Sequence, residues 1–190
     1  MGTPSRAPDS EPIFESLYEA AYADLLRFVQ RRAHPDHAED VVADAFLVAW
    51  RRIGELPKHR EDARAWLFGI ARNVLLNDHR GAERRRTLGV RLREVTTPAL
   101  SSTDQDADLV VRRVDLARAW SRLSEVYQEA LALAVFEELR APQAAAVLGI
   151  SPVAFRLRLS RARRALRLHM DHLSQPSSAP SRTAERIAES

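Results

Sequence analysis

Residues 140–170 read RAPQAAAVLGISPVAFRLRLSRARRALRLHM and carry seven arginines (Arg140, Arg156, Arg158, Arg161, Arg163, Arg164 and Arg167) with no acidic side chain. Two helical patterns meet inside this stretch. Pro142 opens the first, because a proline at a helix start gives up an amide that would be unpaired anyway, and Gly149 ends it. The second follows at once, with Ser151 as N-cap and Pro152 in the first turn. Helices joined by so short a turn cross steeply, which is the helix-turn-helix arrangement. Ala145, Gly149 and Phe155 supply the small residue at the crossing, the turn residue free to take positive φ, and the apolar anchor.

In the second helix Phe155, Leu159, Ala162, Leu166 and Met170 recur at the helical period and form one stripe to be buried. Every arginine lies off that stripe. At ~100° per residue Arg156, Ser160, Arg163 and Arg167 share one flank, while Arg158, Arg161 and Arg164 lie on or near the opposite face. A basic run alone is most often a solvated face. Its coincidence with a helix-turn-helix, over a segment free of carboxylates, points to nucleic acid.

The whole chain has 190 residues, 45% of them hydrophobic, and a net charge of only +3, so the positive field is local. Residues 112–173 carry a net +5 and residues 87–111 a net −2, as suits one surface docked on phosphates. Lys58 is the only lysine. There is no cysteine, which excludes disulfides, thiolate catalysis and cysteine zinc sites. His34 and His37 before Glu39 and Asp40, and His169 with His172, are the nearest approach to metal pairs; as histidines near helix ends they are read as exposed groups. Neither a glycine-rich phosphate loop nor a nucleophile motif is found. The expectation is a non-enzyme without cofactor, metal or small-molecule substrate. No apolar run of about 18 residues is present, and the N-terminus lacks an apolar signal core. No membrane partner and a cytoplasmic location are therefore expected.

The rest of the chain reads as helix. Residues 1–11 read as a disordered tail. From Glu11 and Pro12, a helix with the stripe Phe14, Leu17, Tyr18, Ala21, Leu25 and Phe28 runs to about Arg31. A second, HPDHAEDVVADAFLVAWRRIG, takes Asp36 as N-cap with Glu39 three residues on, and turns Val42, Phe46, Ala49 and Ile53 to a core. A third, from about Ala63 to Arg86, uses Trp66, Leu67, Ile70, Val74 and Leu75, and Trp66 is expected in the core. Residues 87–108 lose periodicity and read as an acidic, flexible linker. Further helices follow near 109–122, 125–138, 142–148 and 152–171, the second capped by Ser124. Residues 174–190 read as a second disordered tail. The expected fold is all-α: two small helical domains, 12–86 and 109–173, each a separate module with no continuous core shared between them.

Three motifs in this order, AEDVVADAFLVAW (38–50), RAWLFGIARNVLLNDHR (64–80), and LSEVYQEALALAVFEEL followed by AAAVLGIS and RLSRARRAL (between 123 and 166), resemble the bacterial RNA polymerase sigma factors of the sigma-70 family, in the two-domain extracytoplasmic-function (ECF) group. The resemblance covers about Phe14 to Leu173. It implies that residues 12–86 are region 2, whose helix with Asp40, Asp44, Leu47 and Trp50 docks on the β′ coiled coil of core RNA polymerase. It implies that Lys58, Arg72, Asn73, Asn77, Arg80, Arg84 and Arg85 meet the minus-ten element, melting it and holding the displaced single strand. Residues 109–173 would be region 4, in which Pro152, Val153, Arg156 and Leu157 approach base edges of the minus-thirty-five duplex while Arg158 and Arg161 hold its backbone. The β flap and an anti-sigma factor are the further partners implied.

Some positions depart from the family pattern. Ala43 stands where glutamine is common and Leu157 where serine is common; Ala144 and Ala146 are smaller than usual, and Pro152 and Val153 replace more polar residues. Leu157 offers a contact to a thymine methyl and no hydrogen bond. The alternative reading is a stand-alone helix-turn-helix regulator, which needs a sensor domain or a dimer interface to match paired half-sites.

Overall fold

The computed structural model describes residues 10–82 and 105–174, with side chains for 10–77 and 109–172; residues 1–9 and 175–190 of the expected tails and the linker up to residue 104 lie outside these, while residues 10, 11 and 174, also assigned to the tails, are helical. The described chain is all-helical. Its elements are α1 (Ser10–Gln30), α2 (Pro35–Arg51), a 3₁₀ turn (Ile53–Glu55), α3 (Arg60–Ala82), α4 (Gln105–Ser121), α5 (Glu125–Val135), α6 (Ala141–Leu148) and α7 (Pro152–Ser174).

The apolar stripes decide which faces meet. Leu17, Ala21, Leu25 and Phe28 of α1 are buried against Val41, Val42, Ala45, Phe46 and Ala49 of α2 and Leu67, Phe68, Ile70, Ala71 and Leu75 of α3. Phe28 and Phe68 stack at 4.6 Å, 12° from parallel, at the centre of this N-terminal unit. In the C-terminal unit, Trp120, Leu123, Leu131, Ala132 and Ala162 close a smaller cluster among α4, α5 and α7.

Local chemistry sets several boundaries differently from the sequence expectation. The N-cap of α2 is His34, not Asp36: its side chain accepts from the Asp36 amide at 3.5 Å. The reason is Pro35, whose missing amide and fixed φ suit the first helical position and move the start forward. Ser124 does sit at the N-cap of α5, but its hydroxyl makes no cap bond. Helix α5 stops at Val135 rather than near 138, with Glu138 beyond it at φ 53°. Helix α4 begins at Gln105, inside the span assigned to the linker.

The larger departure concerns the two units. Both helical units are present as expected, but their cores are not independent: one continuous apolar cluster contains the N-terminal core together with Ala130, Leu133, Leu139, Ala144, Ala145, Val147 and Phe155. Helix α6 is the reason. Its eight residues, APQAAAVL, are apolar nearly all round, so covering one face with α7 leaves another to bury, and α3 takes it. Gly69 lies at this contact, where a methyl placed on it would sit 3.8 Å from Val147 Cα, an ordinary van der Waals distance.

Candidate nucleic-acid interface

The turn between α6 and α7 is built as its residues require. Gly149 takes φ 65°, ψ 35°, the left-handed conformation that costs glycine least, and ends α6. Two residues on, the Ser151 hydroxyl accepts from the Ala154 amide at 3.1 Å and starts α7. Phe155 (1% exposed) and Ala162 (0%) anchor α7 inward, with Leu159, Leu166 and Met170 half-buried along the same stripe. Val153 (70% exposed) and Leu157 (51%) lie opposite the anchor, and Pro152 and Arg156 are exposed beside them. Arg161 is exposed and Arg158 half-buried on the next flank. The first turns of α7 thus turn apolar contacts and arginine side chains outward together, a composition fitted to base edges rimmed by phosphates.

On α2, Asp40, Asp44 and Leu47 are exposed along one side, and Trp50 is half-buried. Trp50 packs edge-on against Phe14 at 4.9 Å, so its role is shared between core and surface. Leu47 and Trp50 border a groove of about 590 Å³ with Phe14, Tyr18 and Phe46, and Glu11 and Glu15 stand at its edge. An apolar groove flanked by carboxylates suits a helix with cationic neighbours.

The residues assigned to the minus-ten element are only partly brought together. Lys58 is exposed before α3, in a turn where Arg52 grips the Glu55 carboxylate at 2.5 and 3.0 Å. That hydrogen bond raises the Arg52 pKa and lowers that of Glu55. Asn73 and Asn77 are exposed one turn apart on α3. Arg80 lies in α3 with its side chain outside the described part, and Arg84 and Arg85 are outside the described residues altogether. Trp66 is half-buried rather than enclosed: it packs on the core, lines a cavity of about 370 Å³ between α3 and α6, and has the Arg52 guanidinium 6.0 Å above its ring.

Arg72 is the exception. Its guanidinium is spent on Glu129 of α5, at 2.7 and 3.3 Å. This pair belongs to a network across the two units that the sequence did not suggest. Glu137, 1% exposed, accepts from Arg31 at 2.7 Å and from Arg32 at 3.1 Å, and its backbone carbonyl accepts from Arg64 at 2.6 Å. Burial lowers the Arg32 pKa from its ordinary value, with Glu137 acting in the opposite direction. Arg32 also lies 3.7 Å over the Phe28 ring, yet its Nε and Nη2 have no hydrogen-bond partner among the described residues. The signal that was available is modest: two adjacent arginines closing α1, and carboxylates at 129 and 137 in otherwise apolar sequence. Among the described residues no group of three or more histidine or acidic side chains is placed to hold a metal ion.

Comparison with known proteins matches this architecture in both halves. The family profile of Sigma-70 region 2 matches residues 17–85, and that of Sigma-70, region 4 matches residues 113–166. The ECF RNA polymerase sigma factor SigL of Mycobacterium tuberculosis is 31% identical over 162 residues, covering 85% of this chain and 90% of its own length. RNA polymerase sigma factor YlaC of Bacillus subtilis is 27% identical over 158 residues, covering 82% of this chain and 91% of its own. Among solved structures, CnrH in complex with the cytosolic domain of CnrY aligns with a TM-score of 0.55 at 27% identity, over 84% of this chain and 88% of that one. The fold is also that of the sigma factor RpoE solved with the anti-sigma factor NepR from Bartonella quintana, with a TM-score of 0.59 at 24% identity over 83% of this chain and 96% of that one. Helix-turn-helix, three-helix unit, matched profiles and relatives agree: the chain belongs to the ECF group of sigma-70 RNA polymerase sigma factors, non-enzymatic subunits that direct the polymerase to promoters.

Proposed function

We propose that this sigma factor divides promoter recognition between its two units, 12–86 and 109–173, in a definite residue-by-residue way. Helix α7 enters the minus-thirty-five major groove with Pro152, Val153, Arg156 and Leu157 toward the bases, and Arg158 and Arg161 on phosphates. The observation that carries this is the exposure of those four residues, with Val153 and Leu157 opposite the buried Phe155 anchor and Pro152 and Arg156 to its side. Apolar Val153 and Leu157 favour thymine methyls, and Arg156 suits a guanine edge.

Region 2 docks on core polymerase through the α1–α2 groove, with Asp40, Asp44, Leu47 and Trp50 facing the β′ coiled coil. Lys58, Asn73 and Asn77, with Arg72, Arg80, Arg84 and Arg85, meet the minus-ten strand: amides one turn apart can both donate to and accept from an unstacked base, and arginines hold the displaced backbone. The β flap is a further contact of region 4. The factor works in the cytoplasm, where its polymerase is; no helix among the described residues is long and apolar enough to cross a membrane. An anti-sigma factor is a fitting regulator, since the sigma factor RpoE was solved with the anti-sigma factor NepR, and CnrH with the cytosolic domain of a protein partner, CnrY.

Run-off transcription with purified core polymerase on genomic fragments tests the reading. Discrete transcripts that require both core and this chain are expected. Identical transcripts with and without the chain would refute it.

A further inference from the structure

We infer that the outward row of α7 is a methyl reader: Val153 and Leu157 sense the C5-methyl group of pyrimidines in the minus-thirty-five element, so that promoter selection responds to methylation of cytosine at C5. This rests on the reading of α7 as the minus-thirty-five helix and adds what that helix detects. One turn apart, Val153 and Leu157 stand about 40° from each other around the axis and about 6 Å along it. Val153 is 70% exposed and Leu157 51%. Neither belongs to the apolar cluster that holds Phe155 or to the one that holds Ala162. One exposed alkyl side chain on a helix is ordinary. Two in line, on the row farthest from the anchor and at the end of the helix that reads bases, make a contact surface.

The polar side chains of α7 frame that row and do not interrupt it. In the first two turns only Arg156 and Arg158 are polar, Arg156 exposed on one flank and Arg158 half-buried on the other. Polar groups join the outward row from Ser160 onward, with Arg161 and Arg164, all exposed. No carboxylate occurs on α7 before Asp171. Phosphates on either side are therefore attracted while the centre of the contact stays alkyl.

An alkyl group neither donates nor accepts, so it cannot sort bases by their hydrogen-bonding edges. The apolar feature of a major-groove edge is the methyl at C5 of thymine. Cytosine has a hydrogen at that position and an amino donor beside it, and covering that donor with an alkyl side chain leaves it without a partner. Methylation of cytosine at C5 supplies the missing apolar contact without changing the base pairing. At the base pairs under Val153 and Leu157, 5-methylcytosine is thus bound more tightly than cytosine, and uracil less tightly than thymine. Successive pairs rise by about 3.4 Å, so tips about 6 Å apart address two different pairs. Each methyl gained or lost is expected to change affinity about fourfold, as for one buried methylene.

The test uses holoenzyme assembled from core polymerase and the full chain, with a promoter fragment found by run-off transcription. Each thymine of the minus-thirty-five element is replaced by uracil and each cytosine by 5-methylcytosine, one position and one strand at a time, and affinity is read by competition gel shift. At one or two positions uracil is expected to weaken binding, or 5-methylcytosine to tighten it, by about fourfold. Holoenzyme carrying Val153→Ser with Leu157→Ser should bind exchanged and unexchanged fragments equally. Helicity measured alongside identifies a variant that unfolds, in which case the exchanges with the unmodified chain decide alone. Exchanges without effect at every position would overturn the methyl reader. So would effects that persist in the folded serine variant, since they would then arise from DNA shape. A minus-thirty-five element scrambled without loss of affinity would overturn the assignment of α7 beneath it.

Discussion

Phe155 and Arg161 lie on the same helix and follow different physics. Phe155 is 1% exposed and joins α7 to the shared core, so Phe155→Ala removes a ring from a closed site at about 3–5 kcal/mol, read as a lower urea midpoint. Arg161 is exposed and contributes nothing to that core. Arg161→Ala is therefore expected to leave the urea midpoint nearly unchanged, and Arg158→Ala with Arg161→Ala to weaken promoter binding on many sequences. The slope of log affinity against log salt should become shallower by about one for each phosphate no longer neutralised; an unchanged slope would contradict the backbone role. The burial pattern of such residues was legible, because spacing of four and three states which side of a helix is inward. Partners of buried charge were not. Nothing in the spacing of Glu129 and Glu137 names a partner, and only the fold shows that Arg31, just past the end of α1, and Arg72 of α3 meet them.

At the scale of the element, glycine and proline made the ends readable. Gly149 at φ 65° is the clearest case: Gly149→Ala fits the open space around it but adopts a strained backbone, so a loss of about 1 kcal/mol is expected, measured by thermal unfolding. Side-chain caps were less legible, since Pro35 moved the cap of α2 to His34 and Ser124 makes no cap bond. The α1–α2 groove gives a functional test at this scale. Leu47 is 47% exposed, so Leu47→Ala should lower the melting temperature less than truncation of a closed core residue such as Phe46, while weakening core-polymerase affinity by about tenfold, as for a central interface contact. Trp50→Ala should lower both, because Trp50 also packs on Phe14.

For the whole molecule, the sequence supports two helical units in the right order and hides the core they share. Periodicity reports that a face is buried, not whether its cover is local or distant, and α6 is apolar on more sides than α7 alone can cover. The shared cluster predicts cooperative unfolding. Trp50 and Trp66 report on the N-terminal unit and Trp120 on the other. Variants keeping only one set, Trp120→Phe or the pair Trp50→Phe and Trp66→Phe, should show coincident urea midpoints; well-separated midpoints would contradict a common core. The central claim is that this chain selects promoters only as part of a polymerase, with its two grips set apart on DNA. The most direct measurement is the gel mobility of a promoter fragment, found by run-off transcription, with the chain alone, core alone and the two together. A sequence-specific shift is predicted only when both are present. An equally specific shift with the chain alone would contradict the claim.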